Sequence, residues 1–197
     1  MSSSHYEPLT TDYGQIQFVM RLEFHGKRVS IRPLRFSDAP ELYENVKDKE
    51  IVTWTVSIPH PYPKDGALKF IRKARYNIEK NKSSAFGIVL KDTDTVIGVV
   101  ELMVFDWKNR NAEIGYWLGK KYWGEGLMTE AVGLVLKFGF GNLKLHRIYA
   151  RLFEGNTGSA RILEKCGFKL EGRLREERYR YGKWHDTLRY GILESGF

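Results

Sequence analysis

The residues best suited to chemistry gather around one turn. Gly124-Glu125-Gly126 stands between a β-rich run, Glu113 to Leu118, and a helical run, Leu127 to Phe140. A strand that enters a helix through a Gly-x-Gly turn leaves a row of main-chain N–H groups at a helix N-terminus, which suits a phosphate. Glu113 lies on the strand leading into the turn, and Glu101 lies on the run before it. Further on, Asn156-Thr-Gly-Ser159 opens another helix and offers an amide and a hydroxyl. An anion cradle with carboxylates close by suggests an enzyme that holds a nucleotide-like cofactor and moves a proton. The turn is not a P-loop, because no Gly-Lys-Ser/Thr follows it. It is not a dinucleotide fingerprint either, because Thr129 stands where the third glycine would fall.

These groups need elements to place them. Val29 to Leu34 alternates and predicts an opening strand. Ser37-Asp38 can cap a helix through Val46, with Pro40 tolerated in its first turn. Pro59 to Pro63 is a proline-interrupted loop. Asp65 introduces a helix to about Lys80, with Leu68, Ile71, Ala74, Arg75 and Ile78 at helical spacing. Ala85 to Leu90 and Val96 to Val104 are β-rich runs joined by a hairpin-type connection. In the helix after the glycine turn, Leu127, Ala131, Leu134, Val135 and Phe138 form a face that should pack on a sheet. Arg147 to Leu152 is a strand, and Asn156 or Thr157 starts a helix to Cys166. Gly167 supplies a left-handed stop and Phe168 begins the next strand. Lys169 to Tyr181 and Trp184 to Leu193 form a last hairpin about Tyr181-Gly182-Lys183. The order βααβββαβαββ fits an α+β fold with a mixed, mostly antiparallel sheet flanked by helices.

The chain of 197 residues suits one domain with a real core. Apolar content of 42% and charged content of 28% read as globular. No apolar run approaches a membrane span, and the N-terminus has neither the basic segment nor the apolar core of a signal peptide. Cys166 is the single cysteine, so a reducing cytoplasm is the expected compartment, with Cys166 a buried small hydrophobe. Five scattered histidines lack ligand spacing, so no metal is expected. A net charge of +8 invites a nucleic-acid reading, but acidic residues interrupt its densest cluster, Arg173 to Lys183, and no DNA is expected.

Lys121-Tyr-Trp-Gly124-Glu-Gly126-Leu resembles the acyl-CoA loop Q/R-x-x-G-x-G/A of the GCN5-related N-acetyltransferase (GNAT) superfamily. "AEIGYWLGKKYWGEGLMTEA" and "HRIYARLFEGNTGSARILEKCGFKLEGRLRE" are similar to its RimJ/RimL-type subfamily. The likeness is densest from Val96 to Leu193, weaker from Val29 to Leu90, and leaves residues 1–24 outside. It implies an N-terminal extension, 1–24, and a single N-acetyltransferase domain, 25–197, with the acyl-CoA N-acyltransferase fold and its splayed central strand pair. It also implies direct transfer of an acetyl group from acetyl-CoA to a primary amine. The subfamily points to a protein N-terminal α-amine, ribosomal or other. An antibiotic, amino acid or polyamine stays open as acceptor, as do a catalytically silent CoA-binding module, a basic nucleic-acid-binding protein and a homodimer.

By position, the resemblance gives the CoA cradle to the backbone of Trp123, Gly124, Glu125, Gly126, Leu127, Met128 and Thr129. Lys121 replaces the family's Gln or Arg and offers a charge without a planar fork. Trp117 and Leu118 fall where backbone groups pair with the pantetheine arm and face the thioester carbonyl. Glu113 matches a glutamate that serves relatives as general base, its other reading being a strand carboxylate in an ion pair; Glu101 is the next candidate. Asn156 matches a pantetheine contact or simply caps its helix, and Ser159 is placed to approach the sulfur. Many relatives carry a tyrosine acid seven residues after this asparagine, where this chain has Leu163, so Ser159 or water must support the thiolate. A thiol pKa of about 8.5 makes that leaving group undemanding. An α-amine of pKa about 7.8 is also some 400-fold more deprotonated at neutral pH than a lysine at about 10.4, a gap of about 3.5 kcal/mol.

Overall fold

The structure, a computed structural model, describes residues 22–197. Thirteen regular elements follow in order among them: β1 (Phe24–His25), β2 (Val29–Pro33), α1 (Ala39–Val46), α2 (Lys49–Trp54), α3 (Gly66–Glu79), β3 (Ser84–Leu90), β4 (Thr95–Asp106), β5 (Asn111–Leu118), α4 (Leu127–Lys137), β6 (Arg147–Phe153), α5 (Thr157–Lys165), β7 (Lys169–Arg180) and β8 (Lys183–Leu193). The strands form one sheet in the order β1-β2-β3-β4-β5-β6-β8-β7. Every neighbouring pair is antiparallel except β5–β6, which is parallel and paired only from Asn111↔Arg147 to Glu113↔Tyr149. Past Glu113 the two strands part.

The central strands β3 and β4 carry nearly continuous apolar runs because helices cover both of their faces. On one face α4 lays Leu127, Ala131, Val132 and Val135 against Ile31, Ile88, Val100 and Ile114. Phe138, in the π-helical turn Phe138–Asn142 that ends α4, meets Phe86 edge to face at 5.2 Å. On the other face Leu42 of α1 and Ile71 and Ala74 of α3 pack on Ala85, Val89 and Val99. Two polar bonds from α1 fix its height over β4: Asn45 Nδ2 donates to the Val96 carbonyl (3.0 Å), and Glu41 Oε2 accepts the Val96 N–H (2.9 Å).

Several expectations are corrected. Asp38 does not cap α1: its carboxylate accepts Arg32 Nη1 (2.8 Å) and Nη2 (3.0 Å) and the Arg35 N–H (2.7 Å), because the buried Arg32 guanidinium has the stronger claim on it. The expected opening strand is β2, and both of its faces are covered: Ser30 and Arg32 are buried with Val29 and Ile31. In α3 the inward stripe is Ala67, Ile71, Ala74 and Ile78, and Leu68 is exposed. The regular part of α4 stops at Lys137. The short helix α2 and the two-residue β1 had no counterpart in the sequence reading. Residues 1–21 of the expected extension lie outside the described residues, whereas Leu22 is buried in the core and Phe24 pairs with Ile31.

Glu130, in the first turn of α4, ties that helix to the start of β2. Its Oε1 accepts the N–H groups of Arg28 (2.8 Å) and Val29 (3.3 Å), and Oε2 lies 3.5 Å from Arg28 Nε. Burial would raise its pKa, but those N–H groups, that of Lys27 and the Arg28 charge outweigh it and hold the carboxyl below its ordinary value. The ionised form is therefore preferred in the folded chain, so the stabilisation is full above the unfolded pKa of about 4.3 and is lost as pH falls through the lower folded value. Glu130→Ala should cost about 1–2 kcal/mol in urea unfolding at pH 7. The parent–variant difference should shrink steadily as pH is taken below about 4. A difference independent of pH would assign Glu130 to packing alone.

Candidate active site

The parting of β5 from β6 opens the sheet, and two cavities meet there. One, of about 470 Å³, lies between the N-termini of α4 and α5. The other, of about 540 Å³, lies on the α1/α3 face of the sheet and is roofed by the segment from Trp54 to Pro63. Both sizes suit a small-molecule site. Trp54, Thr55, Tyr116, Trp117, Asn156 and Ser159 line both, so the junction of the cavities is defined by side chains from α2, β5 and α5.

The first cavity is an anion site by construction. Gly124 and Gly126 have φ of +81° and +78°, left-handed values that a side chain disfavours. A Cβ at Gly124 would meet nothing within 4 Å, so the turn presents bare backbone to open space. Gly126 precedes α4 and offers it no capping side chain. Among the described residues no acceptor meets the N–H groups of Leu127, Met128 and Thr129, and the first intrahelical bond is Glu130 N–H to the Gly126 carbonyl (3.2 Å). These free donors and the positive end of the helix dipole point into the cavity that Gly124, Gly126, Leu127, Met128 and Thr129 line. Arg161 and Lys165 bring two cations to its rim from α5. The arrangement fits a pyrophosphate.

Backbone alternation decides which groups of β5 face the gap. Gly119 donates to the Ile97 carbonyl (2.8 Å), and the register is unbroken from Gly98↔Leu118 to Met103↔Glu113. The main-chain groups of Glu113, Gly115 and Trp117 are therefore spent on β4, and those of Ile114, Tyr116 and Leu118 point toward the gap. The Leu118 carbonyl accepts Trp123 Nε1 at 2.7 Å. Trp117 thus reaches both cavities by its side chain, and Tyr116 is the residue whose backbone stands open where they meet.

Asn156 caps α5 through Oδ1, which accepts the Ser159 N–H at 3.1 Å. Its side chain still lines both cavities, so capping and ligand contact are compatible. The Ser159 carbonyl accepts the Tyr116 hydroxyl at 3.3 Å. Burial raises the Tyr116 phenol well above its ordinary pKa, the Ser159 hydroxyl acting the other way. A phenol so placed is a poor proton donor and acts as a strut between β5 and α5. Cys166 is half-buried, with Sγ 3.5 Å from the Thr129 carbonyl, and burial pushes its thiol up to about 11.

In the second cavity Glu113 sits in an ion pair. Arg151 from β6 reaches it with Nε (3.1 Å) and Nη2 (2.7 Å) and places Nη1 3.3 Å from Glu177. Glu177 also accepts the Thr187 hydroxyl. Glu101 shares the cavity wall but has no ion-pair partner among the described residues. Burial raises its pKa, against the Ser83 hydroxyl and the Lys73 charge, which lower it. Glu125 and Lys121 do not line either cavity; Lys121 Nζ lies over the Tyr122 ring at 4.9 Å. No group of His, Cys, Asp and Glu able to hold a metal occurs among the described residues.

Comparison with known proteins agrees with this geometry. Residues 28–169 match the acetyltransferase (GNAT) domain family. This chain belongs to the GNAT acetyltransferases. It is 38% identical to the probable N-acetyltransferase YjcK of Bacillus subtilis over 172 residues, 85% of this chain and 95% of that protein. It is 30% identical to the spermidine N(1)-acetyltransferase of Vibrio cholerae over 173 residues, 87% and 96% of the two chains. In fold it resembles a ribosomal-protein-S5-alanine acetyltransferase from Vibrio fischeri, with a TM-score of 0.79 at 24% identity over 88% and 97% of the two chains. The GNAT fold, acetyl-CoA as acetyl donor and acetyltransferase activity follow from the family.

Of the expected cradle, Trp123, Gly124, Gly126, Leu127, Met128 and Thr129 line one cavity, together with several wall residues that were not expected. Trp54 and Thr55 come from or just after α2, a short helix signalled only by Asp48, whose side chain accepts the Glu50 N–H (2.8 Å). Arg161 and Lys165 lie one and two turns along α5 from Thr157, a spacing visible in the sequence once the helix is placed. The partnership of Arg151 with Glu113 depends on strand register and left no local trace.

The glycine turn makes a direct prediction. CoA at about 100 times its Kd should stabilise the parent by about 2.7 kcal/mol. In a chain of this size that raises Tm by roughly 5–10 °C. Gly126→Ala should cost the apo protein about 1 kcal/mol of left-handed strain and remove most of the CoA-induced rise. A folded variant with an undiminished rise would remove the turn from the cofactor site.

Proposed function

We propose that this GNAT enzyme acetylates a singly charged primary amine, with a protein or peptide N-terminal α-amine as its best acceptor. The observation that supports this most is the composition of the second cavity. Leu42, Val46, Ile58, Tyr62, Phe70 and Met103 give it an apolar body. Among the described residues Glu101 is its single carboxylate without an ion-pair partner, since Glu113 is matched by Arg151, and Arg178 adds another cation to the wall. One free carboxylate suits one ammonium. A polyamine carries further cations that would lie on apolar surface or against Arg178, and each unpaired charge there is costly.

In this reading the chain's own groups divide the work. The N–H groups of Leu127, Met128 and Thr129 with Gly124 and Gly126 hold the pyrophosphate, and Arg161 and Lys165 add charge. The open backbone of Tyr116, with Leu118 beside it, pairs with the pantetheine arm and polarises the acyl carbonyl. Acetyl-CoA supplies the acetyl thioester. Asn156 orients the arm, and the Ser159 hydroxyl meets the leaving sulfur. The apolar walls exclude water, so the thioester is spent on the amine and not on hydrolysis.

An acceptor screen by mass spectrometry tests the proposal. Peptides with an apolar first residue should be acetylated on the α-amine with kcat/KM at least about tenfold above spermidine and above peptide lysines. Spermidine as the preferred acceptor would overturn the single-charge reading while leaving acetyl transfer intact. Ser159→Ala should lower kcat more than it changes CoA affinity; equal rates in variant and parent would restrict Ser159 to the start of α5.

A further inference from the structure

We propose that Glu101 is the base that takes the acceptor's proton, and that Glu113 is a structural anion committed to Arg151. The inference rests on the acetyl-transfer reading of the two cavities. Three observations carry it, and the first is occupancy. Glu113 receives two donors from Arg151, and the same guanidinium turns its remaining nitrogen to Glu177, which Thr187 also holds. A bidentate pair keeps both Glu113 oxygens engaged, and a proton accepted there would dissolve the link between β5, β6 and the last hairpin. Glu101 has no such partner among the described residues.

The second observation is register. Glu101 stands directly across from Gly115, and Met103 across from Glu113. Side chains of directly opposed residues lie on the same face of a sheet. The Glu101 carboxylate therefore lies on the same face as Gly115, whose bare backbone is covered by the flexible end of Met103 (Cε 2.6 Å from where a Cβ would stand), a side chain that can swing aside for an amine. The third is distance along β5. Trp117 belongs to the junction of the cavities, where the acyl group must lie. Gly115 is two residues from Trp117, about 7 Å along a strand, and Glu113 is four residues away, about 13 Å. A base that serves the attacking nitrogen must come within hydrogen-bond reach of it, directly or through one water. Glu101 meets that condition with a single pleat to span.

The charges facing Glu101 fit a base of raised but accessible pKa. Lys73 faces it from α3, Ser83 from the start of β3, Tyr62 from the roof, Glu113 with Arg151 from β5 and β6, and Arg178 from β7. Burial raises its pKa, and Ser83 and Lys73 keep the rise in check.

The step balances. The carboxylate takes one proton from the ammonium, and the freed nitrogen pair attacks the thioester carbon. The C–N bond forms and the C–S bond breaks. The second ammonium proton, lost as the amide forms, goes to the departing sulfur, and Glu101 returns its proton to solvent. The products are amide, thiol and one proton.

The test compares Glu101→Gln, Glu113→Gln and Ser83→Ala in the full chain, with CoA affinity and Tm measured beside rates. Glu101→Gln should bind CoA as the parent does and lose about 10²–10⁴-fold in kcat/KM at neutral pH. The acidic limb of the pH–rate profile should vanish with it. Glu113→Gln should keep that limb, its losses falling on Tm. Ser83→Ala removes a donor to the ionised carboxylate, so the limb should move to higher pH, a shift that a purely structural role for Glu101 would not produce. Carboxyl NMR of the parent needs no acceptor and should show Glu101 titrating above the ordinary glutamate range. A limb that survives Glu101→Gln and is lost in Glu113→Gln reverses the roles and overturns the proposal. If Glu101→Gln does not fold, an unmoved limb in Ser83→Ala overturns it. A parent that turns over no amine refutes the proposed function, and the carboxyl titration then still decides whether Glu101 has a base's pKa.

Discussion

The site exists because one parallel strand pair is short. β5 and β6 share three register pairs and then part, since β5 continues into the glycine turn while β6 is held by β8 along its whole length. Parting leaves the outward backbone groups of Tyr116 and Leu118 without a neighbouring strand among the described residues. In a buried sheet such groups must find partners. Trp123 satisfies one carbonyl through its indole. The rest form a one-sided ladder against which an extended chain with amide groups can lie. The pantetheine arm of CoA is such a chain, and in the proposed reading the defect in the sheet is its template.

The same split sorts charge. On the α4/α5 side the cavity presents helix N-termini, bare glycine backbone, Arg161 and Lys165, all suited to an anion. On the α1/α3 side it presents carboxylates and apolar walls, suited to a cation with an apolar body. A net charge of +8 does not describe either site. It attracts CoA to the protein as a whole, and the local arrangement decides where each reactant lies. The ion pairs across β5, β6, β7 and β8 serve this sorting, because Arg151 removes Glu113 and Glu177 from the free negative charge.

What the sequence displayed was the local part. Gly124, Gly126 and Asn156 act through their own backbone or their own helix, so their spacing alone announced them. The hairpin at Tyr181-Gly182 was legible for the same reason, both residues adopting positive φ. Cross-strand facts were not legible. That Glu101 faces Gly115, that Arg151 closes on Glu113 and that Arg32 takes Asp38 from the helix cap all depend on register and on which faces are buried. The roof was hidden for a different reason: α2 is six residues long and too short to show a periodic face.

Leu163 shows how a missing residue can be read from its surroundings. The position that carries a tyrosine acid in many relatives is here a buried leucine on the wall of the second cavity. Tyr116 lies nearby, yet its hydroxyl is spent on the Ser159 carbonyl and its pKa is driven upward by burial. Proton donation to a thiolate of reference pKa about 8.5 gains little from so reluctant an acid. The phenol does something else: it fixes the first turn of α5 against β5, and with it the Ser159 hydroxyl at the junction of the cavities. Ser159 is thereby held at the junction of the cavities, where in the proposed reading the sulfur leaves, and the acid role would fall to a group whose position, not its acidity, recommends it.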